Sequence, residues 1–241
     1  MGYYVKVEPN VKVYVEDLNP DGKKTIVFLH GWPGNHNLFE YQFNQLPKLD
    51  FRCIGIDQRG FGKSDKPYGG YDYDRLSDDV RCVVNGLRLH DFILAGHSTG
   101  GAIAIRYMSR HKGYGVSKLA LFAAAAPSLI KRPNFPYGLE KEDVIKIIEG
   151  TYTDRPKMLS DFGDIFFFQH ISKQFSDLAE INVPTLIIHG IHDKVVPFQL
   201  GKVQNQSIRN SKLLPFEFSG HASFYDQRDR FNEELVKFIE E

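Results

Sequence analysis

Asp91-Phe92-Ile93-Leu94-Ala95-Gly96-His97-Ser98-Thr99-Gly100-Gly101 decides the fold. The apolar run from Phe92 to Ala95 reads as a strand. Gly96-His97-Ser98-Thr99-Gly100 ends it, and small and apolar residues with helical spacing follow. Strand, sharp turn and helix in that order place one serine at the apex, its hydroxyl projecting away from the sheet. A Cβ at Gly96 or Gly100 would crowd such a turn. The following helix aims its free N–H groups and the positive end of its dipole at the same point. Gly-x-Ser-x-Gly is short enough to arise by chance, so its flanks must confirm it. Here they do, and Ser98 reads as a nucleophile rather than as the solvent-facing serine of an ordinary turn.

Outward from this stretch, short apolar runs alternate with helical patterns. Residues 25–29, 51–56, 116–122, 184–189 and 213–218 read as strands. Residues 35–46, 71–89, 99–111, 198–208 and 223–239 read as helices, the last opened by the capping-box spacing Ser223 to Asp226. Residues 3–8 and 11–16 alternate apolar and polar around Pro9-Asn10, as an antiparallel edge hairpin does. This order predicts an α/β fold, a mostly parallel sheet with an N-terminal antiparallel hairpin and helices on both faces. Ligands of such sheets bind at the carboxyl ends of the strands. Residues 1–126 and 184–241 form the predicted core. Residues 127–183 carry few strand signals and read as a cap inserted after the strand that follows the nucleophile helix. Phe162, Phe166, Phe167, Phe168 and Phe175 in that cap are read as packing, and as pocket lining where the cap faces the site.

The 241 residues hold 30 basic and 30 acidic side chains and 42 % apolar residues. That suits one domain with a large core and offers no basic face for nucleic acid. Cys53 and Cys82 lack metal-ligand spacing and read as buried free thiols. No signal peptide or membrane span is evident near the N-terminus, so a cytoplasmic location is expected. No cofactor or metal is expected.

A serine hydroxyl needs a base, and the base needs a group to orient it. His221 is the candidate base, in a Gly-His turn after the last strand. His97 adjoins Ser98 in the chain, so its side chain should point elsewhere; His30 should bond backbone at the oxyanion loop. Asp193 is the candidate acid, in a turn after the preceding strand. A turn-forming aspartate is the plainer alternative for it. Acyl transfer also needs donors for a developing oxyanion. The N–H groups of Thr99 and Trp32, the latter in His30-Gly31-Trp32-Pro33-Gly34, are the candidates.

These residues, together with Asp57-Gln58-Arg59-Gly60-Phe61-Gly62-Lys63-Ser64-Asp65 and the run from Val183-Pro184-Thr185-Leu186 to Asp193, resemble the α/β-hydrolase fold family. Within it the chain is similar to bacterial arylesterases and cofactor-free haloperoxidases, or perhydrolases. The resemblance implies a carboxylesterase or arylesterase that acylates Ser98, with peracid formation as a side activity. Phe162, Phe168 and Val195 are then candidates for substrate contact. Two features depart from the pattern: the cap is short, and Ala222-Ser223 follows His221 in place of a glycine and an apolar residue. A short cap should leave its aromatic surface to a second subunit, as a homodimer, or to apolar acyl groups. The alternatives are a proline-iminopeptidase-like amidase, which needs acidic residues in the cap to hold an amine, and a non-catalytic or nearly inactive binding protein on the same scaffold.

Overall fold

The computed structural model describes residues 1–132, 135–163 and 174–241, with side chains placed outside 160–163 and 174–176. Its strands are β1 (Gly2–Glu8), β2 (Val11–Leu18), β3 (Lys24–Leu29), β4 (Phe51–Ile56), β5 (Phe92–His97), β6 (Val116–Phe122), β7 (Thr185–Gly190) and β8 (Ser211–Phe216). They form one sheet in the order β1-β2-β4-β3-β5-β6-β7-β8. β1 pairs antiparallel with β2, and β2 antiparallel with β4; every other neighbour is parallel. The helices are α1 (Glu40–Gln45), α2 (Tyr73–Gly86), α3 (Thr99–Arg110), α4 (Lys141–Thr153), α5 (Arg155–Gly163), α6 (Gln174–Ala179), α7 (Phe198–Ser207), α8 (Ser223–Asp226) and α9 (Arg228–Glu240).

The period of two along each strand divides the core. In β3, Ile26 and Phe28 join one cluster with Phe39, Phe122, Phe216, Phe224 and Phe231. Val27 and Leu29 join the other, with Val80, Val83, Ile103 and Tyr107 from α2 and α3. Both faces of β5 are buried, hence its unbroken apolar run. Each of these side chains contributes about 1.5–3 kcal/mol by leaving water. Between β6 and β7 the chain leaves the sheet for α4, α5 and α6. Leu129, Phe135, Val144 and Met158 of this excursion pack with Val195, Val196 and Leu200 in a third cluster, against which Trp32 rests. The excursion is thereby tied to the carboxyl end of the sheet.

Two helices expected from periodicity are broken. Residues 35–46 divide into a 3-10 turn, His36–Phe39, and α1; a second 3-10 turn, Leu46–Leu49, then runs through Pro47 to a left-handed Asp50. Pro47 falls in the first turn of this short element, where its missing N–H costs nothing. The helix expected over 223–239 breaks at Gln227, with φ −129° and ψ 51°, into α8 and α9. The anticipated capping box does not form. Asp226 accepts the N–H of Gly220 at 2.8 Å, and Gln227 accepts that of Phe218 at 3.2 Å. The break turns both side chains back onto the loop carrying His221.

Candidate active site

Ser98 stands between β5 and α3 with φ 52° and ψ −118°, a left-handed backbone that costs a non-glycine residue about 1–3 kcal/mol. Its surroundings over-determine it. Ser98 N donates to Phe122 O at 3.0 Å, and Ala125 N donates to Ser98 O at 2.9 Å. The turn also lies hard against β3, where a Cβ on Gly100 would strike the carbonyl oxygens of Leu29 and His30. Ser98 Oγ is buried and has no hydrogen-bond partner among the described residues. The hydroxyl is thus held at the apex without a bond that would divert it.

His221 and Asp193 come together from the ends of β8 and β7. His221 Nδ1 lies 2.8 Å from Asp193 Oδ2. A carboxylate only accepts, so the imidazole proton sits on Nδ1 and the Nε2 lone pair is available for proton transfer. The other carboxylate oxygen, Oδ1, accepts the N–H groups of Val195 at 2.8 Å and Val196 at 2.9 Å. Asp193 therefore forms its own turn and holds a histidine as well. Burial alone would push its carboxyl group up; His221 and His189 outweigh burial and hold it well below the usual carboxylate range. His189 donates from Nε2 to Val196 O at 2.8 Å and lies 3.4 Å from Asp193 Oδ2.

His97 takes a part that its sequence position did not suggest. Its side chain turns away from Ser98 and packs on the His221 ring, with centroids 4.6 Å apart, and edge-on to Phe224 at 4.9 Å. Its Nε2 donates to the His221 carbonyl at 3.1 Å. Burial and the neighbouring His221 hold His97 well below the usual histidine range, so it stays neutral. His221 is thus braced by Asp193 at the ring and by His97, Asp226 and Gln227 at the loop. No spacing rule marks the last three, because their partners lie in other elements or across a helix break.

The His30–Gly34 loop is built as rigidly. The N–H of Gln58 donates to His30 Nε2 at 3.0 Å, so His30 carries its proton on Nδ1 and donates it to Gly31 O at 2.9 Å. Burial pushes His30 down to about 4, which keeps it neutral in this role. Gln58 Nε2 also bonds the His30 carbonyl. The Trp32–Pro33 peptide is cis. Trp32 N donates to Thr99 Oγ1 at 3.0 Å, so the two candidate oxyanion residues meet across β3 and β5. Beside them opens a cavity of about 580 Å³, lined by Trp32, Phe61, Tyr71, Leu76 and Thr99 from the core and by Ile148 from α4, among others. That volume lies within the range of small-molecule sites.

Comparison with known proteins matches residues 24–151 to the alpha/beta hydrolase fold family. The chain belongs to that family. Among α/β hydrolases it is 45 % identical to the AB hydrolase superfamily protein YisY of Bacillus subtilis, with 99 % of each chain covered. It is 28 % identical to a bifunctional esterase/perhydrolase of Acinetobacter calcoaceticus, over 98 % of this chain and 99 % of the relative. An esterase from Exiguobacterium antarcticum superposes with a TM-score of 0.94 at 39 % identity, with both chains fully covered. The alignment with YisY runs over 267 positions against the 241 residues of this α/β hydrolase, so the relative carries residues with no counterpart here.

Of the remaining residues singled out in this α/β hydrolase, Val195 is buried in the third apolar cluster and does not line the cavity. Phe168 and the side chain of Phe162 lie outside the described residues, as do Phe166, Phe167 and the side chain of Phe175. So does the aromatic surface on which the expected homodimer rested. Among the described residues no helix is long and apolar enough to cross a membrane, and no three His, Cys, Asp or Glu side chains are grouped to hold a metal ion.

Proposed function

We propose that this α/β hydrolase cleaves carboxylic esters of small acyl or aryl groups through an acyl-enzyme on Ser98. The observation carrying this reading is the Asp193–His221 pair, proton on Nδ1, whose imidazole packs on His97, the residue before a serine forced into a left-handed elbow. Ser98 Oγ attacks the ester carbonyl carbon and His221 Nε2 takes the hydroxyl proton. Asp193 holds the tautomer and stabilises the imidazolium. The negative oxygen of the tetrahedral intermediate is met by the Thr99 N–H, at the side of the elbow that the Trp32 loop faces. His221 returns the proton to the departing alkoxide, which leaves as the alcohol. Water, activated by the same histidine, then releases the acid; hydrogen peroxide in place of water would give the peracid. The esterase/perhydrolase of Acinetobacter supports both outcomes.

In this reading the apolar part of the ester enters the cavity beside Trp32, and the excursion over 127–183 acts as its cap. We assign the residues missing relative to YisY to that cap. The α4 residues lining the cavity are Ile147, Ile148, Thr151 and Tyr152, none of them acidic, and the carboxylate in the lining, Asp72, accepts the Arg75 N–H as the cap of α2.

A chain-length series of p-nitrophenyl esters tests the reading. Wild type should hydrolyse them, and Ser98→Ala should lose about 10⁶-fold in kcat. Hydrolysis that survives Ser98→Ala would overturn it.

A further inference from the structure

The usual way to stabilise the oxyanion is with two backbone N–H groups, one after the nucleophile and one from the loop facing it. In this protein the second of these is already engaged. The Trp32 N–H donates to the side-chain oxygen of Thr99 at 3.0 Å. A backbone N–H has a single hydrogen, and here it points at Oγ1 rather than into the space above Ser98.

The hydroxyl of Thr99 is in the complementary position. Its oxygen accepts from Trp32, so its own hydrogen must point away from that loop. Among the described residues nothing accepts that hydrogen. Thr99 and Trp32 both line the cavity beside the elbow. Thr99 is also the first residue of α3, where its backbone N–H has no acceptor within the helix. One residue therefore offers two donors at the positive end of a helix dipole, next to the nucleophile. A hydroxyl that accepts one hydrogen bond becomes a better donor for the next, since bonds in a chain polarise one another.

We propose that the Thr99 hydroxyl is itself an oxyanion donor, and that Trp32 acts through it by orienting and polarising the hydroxyl. The inference rests on the serine-hydrolase reading above. The chain of donation runs from Trp32 N–H to Thr99 Oγ1, and from Thr99 Oγ1–H to the oxygen that becomes negative as Ser98 adds to the carbonyl. The second donor to that oxygen is the Thr99 N–H. A threonine after the nucleophile thereby places a side chain in a role otherwise left to backbone.

Thr99→Val tests this, because it keeps the shape and removes the hydroxyl. The expected result is a fall in kcat of about a hundredfold, the scale of losing one oxyanion donor, with KM within about threefold. Thr99→Ser should retain most of the wild-type kcat. A thionoester, whose developing charge rests on sulfur and accepts hydrogen bonds poorly, gives the readout a structural role would not move. The preference for the oxygen ester over its thiono analogue should be large in wild type and in Thr99→Ser, and should shrink in Thr99→Val. If Thr99→Val does not fold, as judged by its melting transition, Thr99→Ala carries the same expectation. Should the hydroxyl merely occupy the Trp32 N–H, its removal would free that donor; an unchanged or raised kcat in Thr99→Val, with an unchanged oxygen-to-sulfur preference, overturns the proposal. Labelling by a fluorophosphonate separates the two levels. Wild type that takes no label at Ser98 refutes the serine-hydrolase reading, whereas labelled wild type with full turnover in Thr99→Val refutes only the role of Thr99.

Discussion

The carboxyl ends of β3, β5, β7 and β8 and the excursion between β6 and β7 are built on opposite terms. At the strand ends His30, Asp193 and the loop carrying His221 are fixed by directional bonds, several of them from other elements. Gln58 sets the His30 tautomer, His189 and two backbone N–H groups hold Asp193, and His97, Asp226 and Gln227 brace His221. The excursion meets the cavity with Ile147, Ile148, Thr151 and the exposed Tyr152. It is joined to the sheet mainly through apolar packing around Leu129, Val144 and Met158. Directional bonds fix atoms to the tolerance that proton transfer requires. Apolar packing fixes only shape, which is enough for selecting a substrate. The first region should therefore control rate and the second preference.

The sharpest break of that division is Asp193→Asn. The amide keeps the size of the side chain but no longer favours His221 with its proton on Nδ1. Turnover should fall by about 10⁴-fold while the fold persists, checked by steady-state kinetics beside circular dichroism. A loss under tenfold would show that Asp193 is only the residue that shapes its turn.

Acid should act on the same region through stability. His30 is fully buried and held down to about 4, against 6.5 for a free histidine. The unfolded chain therefore binds a proton there before the folded one does, and stability is lost as pH falls from about 6.5 to about 4. The depression of His30 corresponds to about 3 kcal/mol over that window. His97, also depressed, adds in the same direction. The effect of Asp193 comes lower, below the ordinary carboxylate range. Urea midpoints taken between about pH 7 and about pH 4.5 should fall steeply in wild type and less steeply in His30→Gln. Equal slopes would mean that His30 is not the buried neutral group described.

The smallest expected effect lies in the cap. Ile148→Trp, which fills part of the cavity, should lower kcat/KM for the bulkiest ester of the series by about fivefold, near 1 kcal/mol. Acetate hydrolysis should stay within about twofold. A uniform loss across all esters would mean that α4 also positions the reacting groups.

Much of the first region was legible because unusual backbone geometry demands unusual residues. Gly96, Ser98, Gly100, Asp193 and the Gly-His pair at 220 and 221 mark strand ends where a helix or loop must begin abruptly. The alternation over residues 3–8 and 11–16 and the unbroken apolar runs of β3 and β5 placed the sheet for the same local reason. What the sequence hid was contact at a distance. The spacing of Ser223 and Asp226 matches a local cap, but Asp226 serves Gly220 instead. His97 adjoins Ser98 in the chain and yet braces His221. No helix-breaking residue marks the break at Gln227, whose side chain accepts the Phe218 N–H. The cavity wall, drawn from α2, α3 and α4, could not be read from periodicity, which tells that a helix is amphipathic and not which neighbour its apolar face meets.

The most direct test of the account is to trap the intermediate. Wild-type protein mixed with p-nitrophenyl acetate, quenched in acid within the first turnover and digested, should carry one acetyl group on the peptide containing Ser98. A burst of p-nitrophenol close to one equivalent per chain should accompany it, provided deacylation is the slower step. An acetyl group on another residue, or turnover with Ser98 never modified, would contradict it.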